Sequence, residues 1–334
     1  MSNNTFTRDD TAVLKGVAIL MMLWLHLFHD AAWYSRSTTL VSVFGKPFVA
    51  WVSNATNPVY FFTFLSGYGL YLSYKKGKSD NFLRVKKLYL HYWFYTIVFV
   101  LIGFLLGKPG YPGDLVTILF NVTGWKTTYN GTIWFLFPYC LLALSSEKLF
   151  SFADKYKGYV IFIAIGFIYI VCLSVLHFWG EYLIAHQWAY MPEHYFELLC
   201  PFILGYYCAK YVNISILRQK VGAGWKVAFL LVLSVAVMMF ATSALSVILY
   251  PLYVSMFCLL FSIIEKPMWV SLVLKSIGET STAMWFLHAY FCWYFIPEYI
   301  YYFKYPVLIF LMLVGASYAS ARLLDFVYNR IRPF

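Results

Sequence analysis

Charge is what this sequence has least of. Asp, Glu, Lys and Arg together make up 12% of its 334 residues, about half of the roughly 25% found in ordinary soluble domains. Too little polar surface remains to coat a water-soluble globule, so a soluble fold is excluded. The six cysteines (Cys140, Cys172, Cys200, Cys208, Cys258 and Cys292) all fall in apolar runs without a Cys-x-x-Cys pair, which argues against a disulfide framework or a zinc site. Neither G-x-G-x-x-G nor G-x-x-x-x-G-K-[ST] occurs, so a built-in nucleotide-binding fold has no support. Internal repeats and low-complexity segments are also missing, which removes the sequence symmetry expected of an inverted-repeat transporter.

What is present is apolar: 62% of the residues are hydrophobic. A membrane-crossing helix needs about 20 such residues, and the chain has room for about ten joined by short loops. The runs place them near 12–28, 48–74, 88–106, 131–147, 158–176, 195–210, 226–242, 245–264, 276–295 and 306–326. The expected fold is therefore all-α, a polytopic membrane helical bundle in one membrane-embedded domain over residues 1–334. No small-residue cleavage site follows the first run, so that helix is expected to stay rather than be removed as a signal peptide.

The net charge of +11 reads as topology, not as affinity for nucleic acid. With the N-terminus inside, the inner segments collect Arg8 and Lys15, the group from Lys75 to Lys87, Lys148 to Lys157, Lys210 to Lys226, Lys266, Lys275, Arg322, Arg330 and Arg332. Only Arg36, Lys46, Lys108, Lys126 and Lys304 remain outside. That bias follows the positive-inside rule and puts both termini in the cytoplasm. The outer segments 107–130, 177–194 and 295–305 are rich in Tyr, Trp, Gly and Pro and carry Asp114, Glu181, Glu193 and Glu298. Their aromatics suit a headgroup boundary or a platform for a sugar.

The most informative stretch runs from Leu14 to His26. Lys15 and His26 are eleven positions apart, almost three helical turns, so both lie on one face about 16 Å apart. An ionisable residue inside a span marks a functional or paired site; the plainer reading of His26 is a hydrogen bond to a neighbouring helix. Asp30, four residues on, is placed to hold the imidazole as a carboxylate holds a general base, or else faces water at the helix end. Arg84 and Lys87 share a face at the cytoplasmic start of the third span, suited to phosphates, to anchoring the helix or to anionic lipid.

These residues resemble the acyltransferase 3 family of integral membrane acyltransferases along essentially the whole chain. The family's basic residue, ten residues and a histidine are met by Lys15 and His26. Its aromatic lead into Leu-Ser-Gly is met by Phe61 to Tyr68, its Trp-Phe-Leu by Trp134 to Leu136, and its Gly-x-x-Ser…Leu-His by Gly278, Ser281, Leu287 and His288. Two departures stand out. Lys87 replaces the second of a pair of arginines, which loses the bidentate fork there, and Thr132 and Ile133 stand where a histidine often precedes the tryptophan.

The resemblance implies transfer of an acyl group, commonly acetyl, from cytoplasmic acyl-CoA to a sugar hydroxyl on a surface polysaccharide or lipid-linked glycan, in a bacterial inner membrane. Acyl-CoA is a co-substrate; no bound cofactor is implied, and no metal, since His26, His29 and Asp30 do not make a persuasive set. On this reading Lys15, Arg84 and Lys87 take the donor phosphates and His26 is the general base. Ser66 and Tyr68 are candidate oxyanion donors, although Ser-Gly in a membrane helix also serves close packing. Trp134 and His288 are candidates for the acceptor side. The rival reading is a transporter or flippase for a glycan or lipid-linked sugar, which leaves the spacing of Lys15 and His26 unexplained.

Overall fold

A computed structural model describes residues 4–78 and 80–331; Arg332, counted above on the inner side, lies outside them. The chain opens with α1 (Arg8–Phe28), a short α2 (Ala31–Tyr34) and a two-residue hairpin of β1 (Ser42–Val43) and β2 (Lys46–Pro47). Next come α3 (Phe48–Asn54), α4 (Pro58–Lys75), α5 (Asn81–Leu105), α6 (Leu115–Thr123), a 3-10 turn (Gly131–Phe135) and α7 (Leu136–Ala153). The second half holds α8 (Gly158–Ala185), α9 (Gln187–Tyr211), α10 (Ile214–Val221), α11 (Trp225–Phe240) and α12 (Ser243–Ile263). It ends with α13 (Met268–Glu279), α14 (Ser281–Ala289), a π-helical turn (Tyr290–Phe295), α15 (Pro297–Ile300) and α16 (Pro306–Ile331).

Six helical segments among the described residues are long and apolar enough to cross a membrane: α1, α5, Gly131–Ala153, α8, α12 and α16. A seventh joins them if α10 and α11, bent by 100° at their junction, are one broken span. The all-α expectation therefore holds, and the protein is a multi-pass membrane protein.

Several expected spans have different bounds, and the one expected at 158–176 runs on to Ala185 with a kink at Trp179. The run at 48–74 is two helices, because Pro58 cannot donate a backbone hydrogen bond and sits at the first position of α4, with Asn57 as its cap. The span expected at 195–210 begins at Gln187, which moves Glu193 from an outer loop into the buried body of α9. The span expected at 276–295 begins at Met268, breaks at Thr280 and passes into the π-helical turn.

Glycines set the tightest crossings. A Cβ on Gly278 of α13 would overlap the Ala12 carbonyl and lie 2.8 Å from the Gly16 nitrogen, and one on Gly16 would overlap the Leu274 carbonyl. The α1 and α13 backbones are therefore in direct contact, as small residues permit inside membranes. Lys275 Nζ reaches Asp9 Oδ1 at 2.8 Å across the same crossing. Gly67 of α4 and Gly205 of α9 meet in the same way, each against the other helix's backbone.

Candidate active site

A capping box starts α1: Thr7 Oγ1 accepts from the Asp10 amide at 3.0 Å, and the Asp10 carboxylate accepts from the Thr7 amide at 2.8 Å. Regular helix from there carries Lys15 and His26 on one face and puts His26 in the last turn.

His26 does not stand alone. Its Nδ1 lies 2.7 Å from Nε2 of His288 on α14, and the two ring planes are 4° apart. His288 is fully buried, with its own Nδ1 3.0 Å from the Met284 carbonyl and 2.9 Å from that of Trp285. Carbonyl oxygens only accept, so His288 Nδ1 carries the proton and, in the neutral ring, Nε2 is bare. That bare nitrogen accepts from His26 Nδ1–H. The proton of neutral His26 is thereby fixed on Nδ1, and its Nε2 is left as a lone pair able to take a proton.

The π-helical turn follows at once and brings Trp293 against His26, with ring centroids 4.6 Å apart and Nε1 donating to the His26 carbonyl at 3.0 Å. A cavity of about 470 Å³ opens here, lined by His26, His29, Asp30, Trp33, Trp293 and Tyr294, with Leu25. Trp33 stacks between Trp293 and Tyr301, at 6.0 and 6.1 Å, and the Arg36 guanidinium lies 5.1 Å from the Trp33 ring. The Tyr294 hydroxyl accepts from the Gly131 amide at 3.0 Å, which leaves its own proton available. Partial burial, then the Lys46 ammonium, hold the His29 imidazole below its usual range, against the opposing pull of Asp30.

The other expected site residues separate into those brought together and those placed elsewhere. Asp30 lines the cavity, yet its carboxylate accepts from the Ala32 amide at 2.8 Å as the cap of α2. The helical face that would have joined it to His26 ends at Phe28, and Asp30 itself is extended (φ −94°, ψ 142°); His288 occupies the orienting position instead. Lys15 is half-buried and within electrostatic range of Arg84. Arg84 is in turn close to Tyr139, whose hydroxyl meets Ser66. Lys87 is exposed one turn further along α5.

Ser66 and Tyr68 do not line the His26 cavity. Ser66 Oγ donates to the Phe62 carbonyl at 2.7 Å. The Tyr68 hydroxyl accepts from the Phe6 amide at 2.9 Å, and its ring stacks on Phe6 at 4.3 Å, so it anchors the segment before α1. Trp134 also stands away from His26, with its ring 4.6 Å from that of His194.

That neighbour belongs to a cluster the sequence reading missed. Glu193, His194 and Glu197 are all buried on α9, with His194 Nδ1 2.9 Å from Glu197 Oε2 and 3.1 Å from Glu193 Oε2. The available signal was two glutamates four residues apart, one beside a histidine, at the edge of an apolar run.

Helical architecture and composition define a multi-pass membrane protein, and half-buried His26 is paired with fully buried His288. Residues 11–322 match the family model described as an acyltransferase domain. The chain belongs to this acyltransferase 3 family and is by that membership an acyltransferase. No curated protein and no solved structure matches it.

Proposed function

We propose that this protein is a membrane O-acyltransferase that moves an acyl group, acetyl foremost, from cytoplasmic acyl-CoA to a hydroxyl of a sugar in a surface polysaccharide or lipid-linked glycan. It does so from a bacterial inner membrane, crossed ten times with both termini in the cytoplasm. To the six long segments and the α10–α11 pair this adds α4, α9 and the α13–α14 unit, each lying where an apolar run of the sequence predicts a span. The observation that carries the proposal is the His26–His288 pair, which leaves a bare Nε2 on a histidine that borders an aromatic cavity.

Donor phosphates meet Lys15 and Arg84, with Lys87 at the rim, and the pantetheine arm runs along the roughly 16 Å of α1 between Lys15 and His26. The acceptor sugar stacks on Trp33 and Trp293, whose flat apolar faces suit the ring's C–H groups. His26 Nε2 takes the hydroxyl proton as the oxygen bonds to the thioester carbon. Collapse of the tetrahedral intermediate breaks the C–S bond, and the His26 imidazolium returns the proton to the departing CoA thiolate. No acyl-enzyme is needed. Tyr294 is the better candidate oxyanion donor than Ser66 or Tyr68, because the residue borders the cavity, as they do not, and its hydroxyl has a proton to give.

The test is transfer of radiolabelled acetyl from acetyl-CoA to envelope glycan in membranes bearing the native protein, His26→Ala, Lys15→Ala or Tyr294→Phe. Label should move with the native protein, be lost with His26→Ala and fall with the other two. Native membranes that transfer nothing across a panel of acyl-CoA donors would favour the transporter reading instead.

A further inference from the structure

We infer that Glu193, His194 and Glu197 of α9 form a binding site for one divalent transition-metal ion, zinc foremost, separate from the His26–His288 pair. Each is less than 10% exposed. One ligand atom from each, a carboxylate oxygen or an imidazole nitrogen, lies within 4.8 Å of the other two.

The hydrogen bonding of the cluster is incomplete in a particular way. His194 Nδ1 faces a carboxylate oxygen on either side, Glu197 Oε2 at 2.9 Å and Glu193 Oε2 at 3.1 Å. One N–H can serve only one of them. It serves Glu197, and both Glu193 oxygens are left buried without a hydrogen-bond partner. A bare carboxylate in apolar surroundings is among the most costly groups to bury. A dication among the three atoms satisfies both glutamates at once and balances their two negative charges, with His194 neutral and its proton on Nε2, which has no protein partner.

The spacing fits. A tetrahedral ion with bonds of about 2.0–2.1 Å sets its ligand atoms about 3.3 Å apart, so the 2.9 and 3.1 Å gaps to His194 Nδ1 need open by only a few tenths of an ångström, and the two carboxylates lie within 4.8 Å of one another. The set of one nitrogen and two oxygens suits zinc or manganese more than the softer copper(I). The surroundings hold the ligands in place. Tyr60 donates to Glu197 Oε1, leaving Oε2 for the ion, and Tyr60 is linked to Tyr169 at 3.1 Å, which donates to the Val247 carbonyl at 2.6 Å. Trp134 and Tyr190 wall the imidazole at 4.6 and 4.1 Å. Three protein ligands leave a fourth position for water or for a hydroxyl of a bound molecule.

The experiment uses the purified full chain in detergent, stripped with a chelator, dialysed against buffered Zn²⁺ and assayed for metal content by mass spectrometry. A parallel Co²⁺ titration is followed by visible absorption. One zinc per chain is expected for the native protein and for His26→Ala. Glu193→Gln and Glu197→Gln should each weaken binding by at least about 100-fold. Stoichiometric binding that survives the double glutamine variant would overturn the proposal, as would a native chain that takes up no zinc. Should the variants fail to fold, the native protein decides: cobalt ligand-field bands that zinc abolishes support the site, and their absence refutes it. Neither readout depends on acyl transfer, so this inference and the proposed function fail separately.

Discussion

The strongest consequence of the histidine pair concerns His288, which need not touch either substrate. In the native arrangement its Nε2 accepts a 2.7 Å hydrogen bond and so selects the His26 tautomer whose Nε2 is bare. His288→Ala removes that acceptor and leaves His26 Nδ1–H without a partner. A donor left unsatisfied costs about 1–3 kcal/mol. His26 escapes that cost by moving its proton to Nε2, where it blocks the base. At about 1.4 kcal/mol per factor of ten, the productive tautomer loses roughly 5- to 150-fold in population, and kcat should fall by that factor while KM for acyl-CoA changes little. His26→Ala removes the base itself, worth about 10²- to 10⁴-fold. Because the two residues act as one unit, the His26→Ala/His288→Ala double variant should be no slower than His26→Ala alone. The assay is the initial rate of acetyl transfer by purified variants, each checked by size-exclusion elution and thermal unfolding. A His288→Ala enzyme within twofold of native, or a double variant whose losses multiply, would refute the orienting role.

Lys15→Ala and Arg84→Ala should each raise KM for acyl-CoA more than they lower kcat and flatten its salt dependence, since their part is to hold phosphates; steady-state kinetics at two ionic strengths checks this. Gly278→Val forces a side chain into the Ala12 carbonyl, and the crossing of α1 and α13 must open. The loss should exceed the about 1–3 kcal/mol of ordinary overpacking, read by thermal unfolding in detergent, with Gly69→Ala, whose surroundings are open, as the control. His29 gives a pH signature. Its folded pKa lies below the usual imidazole value, so its contribution to stability is complete above the unfolded value of about 6.5. That contribution is lost as pH falls through the folded one, because the unfolded chain takes up the proton first. Melting curves between pH 7.5 and 5 should slope less for His29→Gln than for the native protein.

Much of this was legible in the sequence where the information is local. The spacing of Lys15 and His26 needs only an unbroken helix, and the capping box at Thr7 together with the apolar run supplies one. The face expected to join Asp30 to His26 is missing for an equally local reason: four residues place two side chains on one face only if the helix continues, and it stops two residues before Asp30. The true partner of His26 lies 262 residues away. The family motif marked His288 as a candidate, but nothing in either segment pairs the rings; the close α1–α13 crossing, set by Gly16 and Gly278, does.

Glu193 was misplaced for a different reason, one that bears on how such a bundle is built. A reading by hydropathy treats a carboxylate as the end of a span, which is sound only for helices that face lipid. α8 and α16 are such helices: they are long, apolar and mostly exposed along their length. α9 is the opposite. It is buried along most of its second half and packs closely on α4, α7 and α8. It can therefore carry two prolines, two glutamates and a histidine, because their cost is set by protein neighbours and not by hydrocarbon. The same holds for α4 with its tyrosines and for α14 with His288. In this protein the helices that look least like membrane spans are those that line its interior, and a polar residue that shortens an expected span is for that reason a candidate for the site, to be tested before it is assigned to a loop.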